Sequence, residues 1–224
     1  DRHNHRLYKL PYTVVGVNYA INYFFIQVYN TMKGILDMPS VILNPTGDTY
    51  VSKLQPNTNF SASPTLNVGV QSLNQDILRS FLKFNTSVLP YGSSVNSAVL
   101  KLFVYGKDVS ANTDILINIV LNSFDSNTIT WNNAPAFLSS SITYAVQNSD
   151  VSHFIKIDIT QVVSEWINNI YPNQGIAITG DETKVSLVQF SSSRDANSQV
   201  RPQLIIDYDK ENQYNNQYNN QSNN

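Results

Sequence analysis

The sequence predicts an all-β fold: a jelly-roll-like β-sandwich carrying one short helix. Three observations point there. Short apolar stretches with period-two alternation recur at close spacing between residues 48 and 208. Turn-forming clusters separate them, as at Pro90-Tyr-Gly92, Asn132-Asn-Ala-Pro135 and Pro172-Asn-Gln-Gly175. Only one stretch inside this span, Thr160 to Ile170, has a helical period. The sandwich is placed at residues 41–208, after an N-terminal apolar arm (1–40) and before a low-complexity tail (209–224).

Taken in order, Asp48 to Leu54 alternates, and Leu66 to Val70 is a short strand between turn residues. Arg79 to Phe84 places Phe81 and Phe84 on opposite faces, as a period of two requires. Ala98 to Tyr105 is long and nearly all apolar, which suits a central strand. Ile115 to Leu121, Ile142 to Val146, Phe154 to Ile159, Gly175 to Ile178, Val185 to Phe190 and Gln203 to Tyr208 complete the strands. In the helix, Val162, Val163, Trp166, Ile167 and Ile170 form one apolar face, with Thr160 as the expected N-cap. Trp166 is expected to plug one end of the sandwich, and Trp131, between polar Thr130 and Asn132, to join the core.

The arm admits three readings. As a strand it gathers Val15, Val17, Tyr19, Ile21, Tyr23 and Phe25 on one face, which can be buried on its own sandwich. From Ile21 onward a helix competes, through Phe24, Phe25, Val28, Met32, Ile35 and Leu36. An extended apolar arm can complete a neighbour's open sheet by β-augmentation, so those six residues are the expected inter-subunit interface. The tail, NQYNNQYNNQSNN, repeats every four residues and cannot build a core alone.

Composition narrows the function. Only 13% of the 224 residues are charged, and 29 are Asn. Together with the absence of cysteine, this suits an extracellular protein on a prokaryotic cell or spore surface. Because the chain starts at Asp1, an upstream segment is expected to have been removed. A net charge of −2 gives no basis for nucleic-acid binding, and no apolar run is long enough for a membrane span.

The strand motifs bring a family resemblance. Asp48-Thr-Tyr-Val51, Leu66-Asn-Val-Gly69, Arg79-Ser-Phe-Leu-Lys-Phe84 and Val95-Asn-Ser-Ala-Val-Leu-Lys-Leu102 come first. Thr128-Ile-Thr-Trp-Asn-Asn-Ala-Pro135, Ile157-Asp-Ile-Thr160, Asn173-Gln-Gly-Ile176, Phe190-Ser-Ser-Ser193 and Arg201-Pro-Gln-Leu204 follow. In this order they resemble the DNRLRE domain, related to disaggregatase-related repeats, over about 70% of the chain. One departure is Phe124-Asp125, where the family often has Trp-x-Glu. The resemblance implies a non-catalytic extracellular sandwich. Some similar modules bind polysaccharides such as alginate.

Candidate chemistry is sparse. Exposed aromatics stack on sugar rings, which makes Tyr50, Tyr91 and Tyr144 the carbohydrate-binding candidates. Asp158 and Glu165 flank the helix start and can meet, but Asp158 is expected to assist capping or to pair with Arg201 or Arg79, and Asp181-Glu182 is expected at a solvated hairpin tip. His3 and His5 lack a third metal ligand, and His153 lacks a Ser or Cys partner. No Asp-x-Asp-x-Asp series marks calcium, so no cofactor is expected beyond a possible structural calcium ion. Asn59 and Asn85 head glycosylation-type triplets. The expected protein is therefore a non-enzymatic surface structural protein that assembles with its own copies into a fibre, appendage or layer. The alternative is a carbohydrate-binding module that tethers a cell or enzyme to polysaccharide.

Overall fold

The computed structural model describes residues 23–28 and 39–210. The chain divides into two units, Asp1–Met38 and Pro39–Asn224. In the first, residues 23–28 are helical (α1). Tyr23 and Phe25 therefore do not lie on an extended face, and the helical reading of this stretch is the correct one. The interface candidates Val15, Val17, Tyr19 and Ile21 lie outside the described residues, as do His3, His5 and the tail repeat.

The second unit is all-β. Its strands are β1 (Ser40–Leu43), β2 (Gly47–Ser52), β3 (Thr65–Val70), β4 (Ile77–Lys83), β5 (Ser94–Lys107) and β6 (Thr113–Val120). They continue as β7 (Phe137–Val146), β8 (Phe154–Asp158), β9 (Ile176–Gly180), β10 (Val188–Ser191) and β11 (Gln203–Asp209), with helix α2 at Thr160–Ile167. All pairings are antiparallel. The order is β1-β11-β5-β10-β3-β4-β9-β6-β7, with β2 beside β4 and β8 beside β5.

The sheet curls on itself, so inward residues from its two wings share one core. Leu100, Leu102 and Val104 of β5 and Ile155 and Ile157 of β8 join Ile115 and Ile117 of β6 and Ile176 and Ile178 of β9 there. β5 is long enough to pair with β11 along its first half and β10 along its second. Phe81 and Phe84 do separate: Phe84 enters this core, while Phe81 joins a second cluster with Val51, Val120, Ile129 and Ala177. Residues of the β6–β7 connection, among them Phe124, Trp131 and Ala134, cover that second cluster.

Trp131 is a correction. It is half-buried at the edge of the smaller cluster and does not reach the main core. It starts a 3₁₀ turn, Trp131–Asn133, and the Arg79 guanidinium sits 4.5 Å from its ring centre. Arg79 is itself held by Glu182, at 2.7 and 2.9 Å. Thr160 is a second correction. It is the first helical residue, and its hydroxyl accepts from the Ala98 N–H of β5. Asp158 serves the helix start instead, accepting from the Thr160 N–H and hydroxyl at 2.8 and 2.6 Å.

Candidate functional site

The β4–β5 loop and the end of α2 face each other across a cleft of about 840 Å³. The first wall is built by turns. Asn85 Oδ1 accepts from the Ser87 N–H and hydroxyl at 3.0 and 2.7 Å, fixing the 3₁₀ turn Thr86–Val88. The Ser93 N–H and hydroxyl then both donate to the Pro90 carbonyl, at 3.2 and 2.7 Å. Gly92 takes φ 75° at the third position of that turn, a conformation that glycine adopts without strain. Tyr91 is thereby held at the turn's tip and is 100% exposed.

The second wall is the end of α2. The Ile170 N–H donates to the Glu165 carbonyl and the Asn169 N–H to the Trp166 carbonyl, at 2.9 and 3.2 Å. With Asn169 at φ 56°, this is the left-handed helix stop in which two final carbonyls are satisfied by reversing the chain. The helix thus ends at Ile167, and Ile170, expected on its apolar face, is 63% exposed. Asn168 and Asn169 are left exposed on the cleft lining. Trp166 and Leu89, both buried, also line the cleft. Asn173 ties the walls together, donating to the Phe84 carbonyl and the Thr86 hydroxyl at 2.9 Å each. The side chains of Ser94, Ser164, Asn168 and Asn169 hydrogen-bond to no other described residue, and no lining residue is charged.

Of the three tyrosines predicted from sequence, only Tyr91 lies on this cleft. Tyr50, on β2, is stacked on Phe60 with ring centres 4.3 Å apart. Burial raises its pKa, and a hydrogen bond with Asn67 works the other way. Tyr144, on β7, packs against the main core, and burial raises its pKa too. Each has a ring face occupied or half-buried by the protein, which leaves less for a ligand. Trp131 has one ring face under Arg79.

A second, smaller cleft of about 320 Å³ lies between the β1–β2 turn, Asn44 to Thr46, and the β10–β11 connection. Arg194 and Arg201 line it, and neither forms an ion pair among the described residues. Arg201 donates from Nε and Nη2 to the Asp195 carbonyl, at 2.9 and 2.7 Å. Asp48 is buried nearby. Its carboxylate accepts from the Ser193 N–H at 2.7 Å, and burial raises its pKa despite that bond and the two arginines.

The other sequence candidates have structural partners. Asp181 caps its own turn through the Thr183 N–H and hydroxyl, which lower its pKa. Asn59 donates its amide to the Ser126 and Ile129 carbonyls at 2.9 and 2.7 Å, so that nitrogen is engaged in the fold. The His153 ring meets the Val151 carbonyl through Nδ1, at 3.0 Å. Among the described residues, no three His, Cys, Asp or Glu gather as a metal-holding group, and no helix is long and apolar enough to cross a membrane. Sequence reasoning missed Asn168 and Asn169. The available signal was an Asn pair at the end of a helical period with Pro172 beyond it.

Comparison with known proteins completes the site's context. The family model for carbohydrate-binding module family 96 matches residues 39–208. A tRNA nuclease WapA of Bacillus subtilis is 28% identical over 187 residues, or 76% of this chain. A tRNA3(Ser)-specific nuclease WapA of Bacillus spizizenii is 28% identical over 185 residues. The chain spans about 8% of the length of either relative.

Proposed function

The chain belongs to carbohydrate-binding module family 96, and from that premise we propose that it holds a polysaccharide in the cleft beneath Tyr91. The observation that carries this reading is the tyrosine itself. A fully exposed ring, fixed at a glycine-dependent turn, stands at a cleft with unengaged amides and hydroxyls. A pyranose packs its C–H face on such a ring, and its hydroxyls pair with side chains that both donate and accept. The module acts without catalysis. Hydrolysis of a glycosidic bond ordinarily takes two carboxyl groups, and the cleft lining has none. It needs no metal cofactor. Its place is outside a prokaryotic cell, where the polymer is. The relatives' nuclease names describe proteins of which this chain covers a small part, so they bring no nuclease activity to it.

A glycan array with the parent and Tyr91→Ala tests the reading. The parent binds at least one polysaccharide, and the variant loses that signal while its melting temperature stays put. A Tyr91→Ala protein that binds as the parent does refutes the cleft.

One observation favours self-assembly as a second activity. Tyr23, Phe24, Phe25 and Ile26 are consecutive and 55–66% exposed. Such an apolar run suits burial against another copy of the chain. Sedimentation velocity decides it: the full chain forms concentration-dependent oligomers and a chain lacking residues 1–38 does not. Two identical monomer profiles refute it.

A further inference from the structure

We propose that the smaller cleft is a second binding site, independent of the cleft beneath Tyr91, and that it takes the oxyanion group of an acidic sugar between Arg194 and Arg201. Turns fix both walls. The Thr46 N–H donates to the Lys83 carbonyl at 2.8 Å, which anchors the β1–β2 turn. Opposite it, Arg201 donates from Nε and Nη2 to the Asp195 carbonyl and so closes the loop that joins β10 to β11. Within that loop Asn197 Oδ1 accepts from the Gln199 N–H at 3.0 Å, at the start of the 3₁₀ turn Ser198–Val200. Arg194 donates from Nε to the Ser61 carbonyl at 3.4 Å. These bonds orient both guanidinium groups and leave their charge uncompensated, because a backbone carbonyl is a neutral acceptor. Nη1 of Arg201 and both Nη atoms of Arg194 have no partner among the described residues.

The lining carries two positive charges and no negative one. Among the described residues no carboxylate comes within ion-pairing distance of either arginine. The nearby carboxylates are engaged elsewhere. Asp195 accepts from the Asn197 N–H of its own loop at 2.9 Å. Asp48 is buried, and its two oxygens accept from the Ser193 N–H and hydroxyl at 2.7 and 2.5 Å. A cleft lined by one sign of charge focuses its field on a counter-ion. Guanidinium N–H groups then hold an oxyanion by charge-assisted hydrogen bonds, which an ammonium or an amide cannot match in geometry. The Asn44 amide and the Ser198 hydroxyl, on the same lining, have no side-chain partner among the described residues and suit the sugar's own hydroxyls. The volume, about 320 Å³, is at the lower end of the usual range for small-molecule sites, which fits a short stretch of saccharide.

Calorimetric titration of the full chain tests this with three sets of short oligosaccharides: uronate (galacturonate and mannuronate), sulfated galactose, and neutral galactose. The expected result is binding of a uronate or a sulfated oligomer, weakened at least about tenfold in Arg194→Gln. The two acidic sets tell a carboxylate site from a sulfate site. Binding should also fall at least about tenfold between roughly 0.05 and 0.5 M salt, as the ion pairs are screened. In Tyr91→Ala it should stay within about twofold of the parent, because separate sites act independently. Arg194 is exposed, so its replacement should leave the melting temperature in place. Arg201→Lys, which keeps the charge and loses the fork, should weaken binding as well. Acidic binding that Arg194→Gln leaves unchanged overturns the proposal. Acidic binding lost in Tyr91→Ala and kept in Arg194→Gln also overturns it, by moving the acidic sugar to the larger cleft, and leaves the proposed function standing. Neutral galactose bound as tightly as the acidic sets, and lost in Arg194→Gln, overturns the oxyanion specificity. No binding of either acidic set overturns the proposal, whatever the larger cleft takes.

Discussion

Trp166 joins the core and the cleft. It is 4% exposed, and its indole N–H is buried without a partner among the described residues. Truncation to Ala should cost about 3–5 kcal/mol, the usual range for a large buried aromatic. Trp166→Phe should cost far less, about 1 kcal/mol, because it removes an unpaired donor and keeps most of the apolar volume. Chemical denaturation of the two variants checks this; equal losses would mean that the indole N–H is bonded. Asp158 gives the molecule a pH signature. The Thr160 hydroxyl and N–H hold its pKa below the ordinary carboxylate value. A depressed folded-state pKa gives stability that is present above the unfolded value of about 4 and is lost as pH falls through the folded one. Asp48 acts in the opposite sense: burial raises its pKa, so its contribution is full at low pH and fades as pH rises through the folded value. Asp158→Asn should therefore lower the melting temperature at pH 7, with the gap closing as pH falls below the unfolded value of about 4. A gap that persists unchanged in acid would assign the loss to something other than charge. At this scale residue type alone does not locate the site. Tyr50, Tyr91 and Tyr144 all read as stacking candidates, and what separates them is packing, with Phe60 on the ring of the first and the main core against the third.

At the scale of elements, period-two alternation reveals ten of the eleven strands, because most have one face in the main core. β1 escapes it. Its four residues sit between Pro39 and Pro45, too short to alternate visibly. The first half of β7 escapes for another reason. Leu138-Ser-Ser-Ser141 offers no apolar alternation, and Ser141 at φ 64° breaks the register where β7 shifts against β6. The helix is legible but its end is not. Val162, Val163 and Trp166 mark the buried face, while Ile170 continues the period beyond the point where Asn169 reverses the chain. This stop positions the second wall, and it can be tested apart from binding. Asn169→Gly should keep the fold, with a stability change within about 1 kcal/mol, because glycine suits a left-handed position. Asn169→Val should cost about 1–3 kcal/mol, since a β-branched residue is strained there. If both variants fold with equal stability, the stop is not what orients Asn168 and Asn169.

The molecule as a whole closes its core without a disulfide. There is no cysteine in the chain, and among the described residues the main cluster runs from Val41 to Tyr208. The fragment 39–210 should therefore fold alone, with one cooperative melting transition close to that of the full chain. A fragment that shows no cooperative transition would assign the core's stability to the flanking segments. The resemblance motifs and the strand pattern make the sandwich readable from sequence. The cleft is not readable in that way, because its walls are distant in the chain and meet only when the sheet curls. The self-assembly expectation came from the arm and the tail, which lie almost wholly outside the described residues, whereas the family match supports the carbohydrate alternative. Amide chemical-shift mapping of the isotopically labelled protein, titrated with oligosaccharides of the polysaccharide that the glycan array identifies, tests the central claim most directly. The account predicts that shifts cluster in residues 86–95 and 164–173, around Tyr91 and Asn169. Shifts that gather instead around Arg194 and Arg201, or that appear with no oligosaccharide at all, would contradict it.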